Sequence, residues 1–210
     1  MTDPVRHLAQ TGHLDRFYID GAWVKPQGRE RAEVVDPATE TVIAEIPLGS
    51  MSDTDHAVRA ARKAFCGWSR TTPSERAALL SRIHALVLER ADLIAYALSA
   101  EMGAAIIYAR QAQVPLAAEH IRVARDNLAT FPFVSQRGTT AICKEPIGVC
   151  ALITPWNWPL YQITAKVGPA LAAGCTVVLK PSELSPLSAI LFAEIMEEAG
   201  CPPGVFNLVH

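Results

Sequence analysis

The residues best equipped for chemistry stand in two short runs near the end of the chain. One is Thr154-Pro155-Trp156-Asn157-Trp158-Pro159, a single neutral amide framed by two tryptophans and two further prolines; the other is Lys180-Pro181-Ser182-Glu183. Each follows an apolar run that reads as a strand, and in open parallel sheets ligands gather at the carboxyl ends of strands. Glu183 can accept hydrogen bonds from two hydroxyls and Lys180 can donate one, which suits a nucleotide ribose. Two features count against an ordinary dinucleotide site. The first turn lacks G-x-G-x-x-G, and Glu183 stands somewhat beyond the spacing of roughly 20 residues usual for a ribose-binding acid. Lys180–Glu183 serves equally well as a helix-capping loop, so residue chemistry alone leaves both readings open.

Cysteine chemistry is less promising. Cys66, Cys143, Cys150, Cys175 and Cys201 are odd in number and contain no C-x-x-C pair. Neither a disulfide framework nor a metal site is expected. Most should be small buried apolar residues. Cys150 falls within a strand and Cys175 directly after a helix-ending glycine, with no base or cation evident beside either to make a reactive thiolate.

The elements that must position these runs follow from the pattern. From Val149 onward the chain reads β-α-β-α-β: a strand Val149–Ile153, a helix from Pro159 to Ala173 stopped by Gly174, and a strand Thr176–Leu179. A helix capped by Ser185 and stopped by Gly200 follows, then a strand Val205–Val209. Near-continuous apolar strands separated by helices indicate a parallel sheet covered on both faces. Upstream, Phe17–Ile19 and Ala22–Val24 flank Asp20-Gly21, a hairpin signal, and Val34-Val35, Asp36-Pro37 and Thr41–Ile46 read as a second strand–turn–strand. Helices come next. Asp53 is expected to cap the first, and Thr72-Pro73-Ser74-Glu75 is a capping box opening a helix whose apolar face carries Leu79, Leu80, Ile83, Leu86 and Val87. Gly103 should end the helical hairpin, and a further helix runs to about Leu128 with Pro115 as its start or a kink. Residues 132–146 form an isolated two-stranded ribbon around Arg137-Gly138. A lone hairpin is marginal in water, so it should pair with something outside itself.

Composition excludes several classes. Half the residues are hydrophobic, 19% are charged, and the net charge of −2 is interspersed rather than striped. A large core is available, and nucleic acid is not an expected partner. Met1-Thr2-Asp3-Pro4 does not open a signal peptide, and no apolar run approaches a membrane span. A cytoplasmic protein without a membrane partner is expected.

Residues 151–160 (ALITPWNWPL), then AKVGPALAAGCTVVLKPSE over 165–183 and PPGVFNLV over 202–209 closely resemble the aldehyde dehydrogenase superfamily. The Asp20-Gly21 hairpin, the Asp36–Thr39 turn and the Ala57–Trp68 helix agree with it in order. The resemblance covers essentially this whole chain but only the first part of the family's chain. It implies an α/β fold, the N-terminal part of the aldehyde dehydrogenase fold: a parallel βαβαβ Rossmann-like sheet with flanking helices and a protruding β-hairpin. Residues 1–130 would begin the cofactor-binding domain, 131–146 would be an oligomerisation hairpin serving a homodimer or homotetramer, and 147–210 the first βαβαβ of the NAD-binding sheet.

The resemblance also implies roles. Asn157 would donate its amide to the aldehyde oxygen as that oxygen gains charge. Ile153, Thr154, Pro155, Trp156, Asn157, Lys180, Ser182 and Glu183 would bind the cofactor, NAD with NADP as a second possibility. Trp158, Gln162 and Ala165 share a helix face and would line the tunnel for a small aldehyde. Family members often carry an aromatic in place of Ala165 and an apolar residue in place of Gln162, so a wider, more polar tunnel is expected. Lys166 matches a lysine that some members assign to a charge relay, with a lysine ending in solvent as the equal alternative. The family oxidises an aldehyde to a carboxylic acid through a cysteine thiohemiacetal and thioester. Its cysteine and water-activating glutamate lie downstream of His210 in the family order, so this chain alone is expected to be inactive. A stand-alone nucleotide-binding or subunit-interaction module is the rival expectation.

Overall fold

The β1–β2 hairpin (Phe17–Ile19, Ala22–Val24) is not a unit of its own but the outer edge of the main sheet. Asp20 and Gly21 at its turn both take left-handed backbone, φ 52° and 77°, as a two-residue turn matched to strand twist requires. The computed structural model describes residues 3–210, so the part of the targeting-signal reading that falls on Met1 and Thr2 lies outside the described residues.

The sheet has five strands in the order β2-β1-β9-β8-β7, where β7 is Val149–Ile153, β8 Thr176–Lys180 and β9 Phe206–Leu208. The pairs β7–β8 and β8–β9 are parallel, whereas β1 lies antiparallel to β9 through Tyr18 opposite Leu208. The expected parallel βαβαβ unit is present, and the hairpin adds an antiparallel edge to it. β9 would otherwise expose a row of unpaired backbone groups, and the hairpin, 187 residues away in sequence where Asp20 meets Asn207, satisfies that edge.

Side chains alternate across the sheet. Val177, Leu179, Phe206 and Leu208 join the large core, while Val178 packs with Phe17, Ile19 and the alanines of α2 (Met51–Trp68). The alanines bring α2 close enough for Thr176 Oγ1 to donate to Ala61 O at 3.0 Å. The large core is shared by α3 (Pro73–Glu89), α4 (Ala91–Met102), α6 (Val114–Asn127), α7 (Pro159–Ala173) and α8 (Leu187–Glu198). At the eight-residue α1 (Pro4–Thr11), Leu8 joins the same core.

Several caps depart from expectation. Asp53 does not cap α2: Ser50 does, and Asp53 is the third helical residue, its carboxylate accepting from Ser50 N at 2.9 Å. A carboxylate one turn inside the helix also reaches Gln27 N and Gly28 N, which one at the cap position would not. Thr72, Pro73 and Glu75 form the capping box as expected, with Leu79, Leu80, Ile83 and Val87 buried behind it. Gly103 ends α4 at φ 75°. Pro115 falls at the first turn of α6, directly after a π-helical stretch Ala109–Gln113 that follows the short α5 (Ile106–Tyr108). Proline has no N–H for the regular ladder, and the widened turn absorbs that loss.

The pair β3 (Arg31–Asp36) and β4 (Thr41–Pro47) forms a second sheet. The ribbon β5 (Val134–Arg137) and β6 (Thr140–Cys143) forms a third, nearly fully exposed and tied at its base by Lys144 N to Phe133 O at 2.8 Å. Among the described residues, no helix is long and apolar enough to cross a membrane.

Candidate functional site

The parallel register sets the site. Ile153 pairs with Lys180, and Thr154 N donates to Lys180 O at 3.1 Å. The Thr154–Trp158 loop and the Lys180–Glu183 loop therefore leave the sheet side by side, at the carboxyl ends of adjacent strands. Both sequence runs meet at one place.

In the second loop, Lys180 Nζ lies 2.7 Å from Glu183 Oε2. This bond and the nearby positive charge hold the Glu183 carboxyl below its usual range. Both side chains remain about half exposed, so the pair is open to a ligand. Ser182 Oγ accepts from Leu184 N at 3.2 Å, which curls the loop back toward α8.

In the first loop, Ile153, Pro155, Trp156 and Asn157 face solvent, and the Asn157 side chain has no protein hydrogen-bond partner among the described residues. Its amide is a free donor. Thr154 is only 3% exposed, yet its Oγ1 has no partner among the described residues either. A buried hydroxyl left unpaired at a strand end fits a site that a polar ligand or water completes.

The residues expected to line a tunnel lie at the start of α7. Trp158 is half-buried, edge-on to Tyr108 at 5.8 Å and to Tyr161 at 5.4 Å between ring centroids, and Tyr161 in turn stacks edge-on with His120. Gln162 and Ala165 are half-buried on the same helix. Lys166 neither ends free in solvent nor approaches the loops. Its Nζ donates to Gln162 Oε1 at 2.9 Å one turn back, so each occupies the other. The polarity expected from Gln162 is thereby partly spent within α7.

Two corrections concern neighbours of the site. Ser185 does not cap α8: Pro186 stands at the cap without a side-chain hydrogen bond, and Ser185 Oγ is buried and unpaired. The free N–H groups of Leu187 and Ser188 donate instead to the carboxylate of Glu101 on α4. The expectation that most cysteines are buried also fails. Cys175 and Cys201 are buried, Cys150 is intermediate, and Cys66 and Cys143 are exposed. Burial pushes the Cys201 thiol up to about 12, and burial beside Cys175 pushes Cys150 up to about 11, so neither supplies a thiolate near neutral pH. Among the described residues, no three of His, Cys, Asp or Glu converge to hold a metal ion.

Glu101, Tyr108 and Tyr161 were not legible as site neighbours. Glu101 reads as an ordinary glutamate in the last turn of a helix, and the tyrosines carry no spacing signal. A buried helix start without its own polar cap is the one feature that points toward a distant acceptor.

Comparison with known proteins agrees with this geometry. A model described as the aldehyde dehydrogenase family matches residues 23–210. The 3-succinoylsemialdehyde-pyridine dehydrogenase of a Pseudomonas species is 53% identical over 195 residues, covering 92% of this chain and 41% of that protein. Aldehyde dehydrogenase C from Pseudomonas syringae, solved with NAD+ and octanal, is 64% identical with a TM-score of 0.93, covering 94% of this chain and 41% of that one. Betaine aldehyde dehydrogenase from Staphylococcus aureus, solved with NAD+, is 32% identical with a TM-score of 0.90, covering 98% and 42%. The chain thus spans about 41% of the length of the curated relative it matches.

Proposed function

The chain belongs to the aldehyde dehydrogenase family, and from that premise we propose that it supplies the nucleotide-binding strand ends and the oxyanion donor for NAD-dependent oxidation of an aldehyde to a carboxylic acid. The observation that carries this is the meeting of the Asn157 loop with the Lys180–Glu183 loop at adjacent strand ends. In this reading Glu183 and Lys180 hold the ribose hydroxyls of NAD, and Ile153–Trp156 run along its nicotinamide half. NAD, once bound, accepts the hydride. Asn157 donates its free amide to the carbonyl oxygen as negative charge grows there, a type of contact worth about 3 kcal/mol of transition-state stabilisation. Trp158, Gln162 and Ala165 flank the aldehyde. Lys166 acts through Gln162 by fixing its amide orientation. In this reading the nucleophile and the water-activating glutamate come from outside these 210 residues.

The same proposal assigns 1–130 and 147–210 to the cofactor-binding domain and 131–146 to subunit assembly in the cytoplasm. The β5–β6 ribbon exposes both faces and both edges, and pairing with another copy through Thr139–Lys144 covers them. NAD is favoured over NADP because Glu183 opposes a 2′-phosphate. A module without catalysis is not favoured, since the matched relatives are dehydrogenases.

The test is calorimetric titration of the 210-residue chain with AMP and with NAD. Binding that is lost in Glu183→Ala and Lys180→Ala supports the reading. A folded chain that binds neither nucleotide refutes it.

A further inference from the structure

The β8–α8 loop must present Lys180, Ser182 and Glu183 as a fixed set, yet its own residues do not close its far end. Leu187 N donates to Glu101 Oε2 at 2.5 Å and Ser188 N to Oε1 at 3.2 Å, across 86 and 87 positions of sequence. Glu101 is 3% exposed. A buried carboxylate that accepts from two orphan N–H groups at a helix start is the strongest cap available there. The same carboxylate borders a cavity of about 250 Å³. Leu184 of the ribose loop and Trp156 of the Asn157 loop both line that cavity, with Glu33, Val35 and Pro37 on its outer wall. Residues beside both strand-end loops therefore share one cavity with Glu101.

We propose that Glu101 is a positioning residue for nucleotide binding: through the start of α8 its carboxylate holds the Lys180–Glu183 loop in the arrangement the ribose needs. This rests on the nucleotide reading above. A protonated carboxyl presents an O–H where it had an acceptor and loses the charge that strengthens both N–H contacts, so the loop end loosens. Burial pushes Glu101 up to about 7, against the pull of the hydrogen bonds from α8. The groups around it are the Ser188 hydroxyl from α8 and, across the shared cavity, Glu33 from β3. Near Lys180, Glu183 is held below its usual range and His210, two residues past β9, is pushed down to about 3 by burial and by the Lys180 charge, so neither changes charge near neutral pH.

The experiment titrates AMP into the wild-type chain and into Glu101→Gln at about pH 6 and 8, where the ionised fraction of a group near 7 rises from about one tenth to about nine tenths. The wild type should bind about fivefold to tenfold more tightly at the higher pH. Glu101→Gln should bind about tenfold more weakly than wild type at pH ~8 and show no such dependence. A merely structural role lowers melting temperature but leaves affinity and pH profile of the folded variant as in wild type, and that result overturns the proposal. Amide exchange of Leu187 and Ser188 in the wild type needs no variant. Protection corrected for intrinsic rates should rise with ionisation of Glu101, and unchanged protection also overturns the proposal. A wild type that binds no AMP refutes the nucleotide reading and this inference with it, whereas a binding wild type beside an unmoved variant refutes the inference alone.

Discussion

Replacing Glu183 by glutamine keeps a ribose acceptor and removes a charge, so it isolates the electrostatic part of cofactor choice. A 2′-phosphate placed ~4 Å from the carboxylate is repelled by roughly 4 kcal/mol per unit charge at an effective dielectric near 20, and by about 1 kcal/mol in water. The Glu183 and Lys180 side chains are 46% and 44% exposed, which places the site toward the watery limit, at roughly 2 kcal/mol. Lys180 Nζ, 2.7 Å from Glu183 Oε2, faces the same phosphate and returns about half of that. The net preference against a 2′-phosphate is then about 1 kcal/mol, or roughly fivefold. Glu183→Gln should bring the ratio close to one, because the repulsion disappears and Lys180 is freed from its partner. The assay compares dissociation constants of AMP and 2′,5′-ADP for wild type and variant by calorimetry at a fixed ionic strength of ~0.15 M, since exposed charges are screened over about 8 Å there. A wild type that already prefers the 2′-phosphate, or a ratio unmoved by the substitution, refutes the reasoning.

Three further outcomes are expected. Gly204, at φ 78°, would place an alanine Cβ 2.6 Å from Ala60 O, so Gly204→Ala should lose about 2–4 kcal/mol in urea unfolding; an unchanged midpoint contradicts the tight α2–β9 approach. Glu101 holds its proton to about pH 7 when folded and to about 4.5 when unfolded, so it favours the fold below pH 4.5 and that contribution is lost as pH rises to about 7. Glu101→Gln should flatten this part of the stability profile measured by thermal melts, and a profile identical to wild type refutes the burial argument. Light scattering of the enzyme carrying this chain should give at least a dimer at micromolar concentration, and Ile142→Asp in the exposed ribbon should shift it toward the monomer; a wild-type mass of one subunit refutes the assembly proposal.

Local rules were enough wherever a residue answers only to its near neighbours in sequence. Asp20-Gly21 needs left-handed backbone, and Thr72-Pro73-Ser74-Glu75 closes its own hydrogen bonds within one turn, so both elements were readable directly. The apolar runs at 149–153 and 176–179 announced parallel strands, of which β8 is buried while β7, at the sheet edge, is not covered on both faces as expected. Their common register then obliged Asn157 and Glu183 to leave the sheet together. Tertiary packing decided the rest, where one donor can choose among acceptors far apart in the chain. β9 took its antiparallel partner from residue 18 because an open edge needs pairing, and no pattern near 208 says which strand will supply it. Ser185 is a good cap by type, yet the buried Glu101 takes the N–H groups of Leu187 and Ser188, because a carboxyl offers two oxygens where a hydroxyl offers one. Lys166 turned to Gln162 rather than to solvent or the loops for a similar reason: the nearest acceptor lay one turn back on the same helix face.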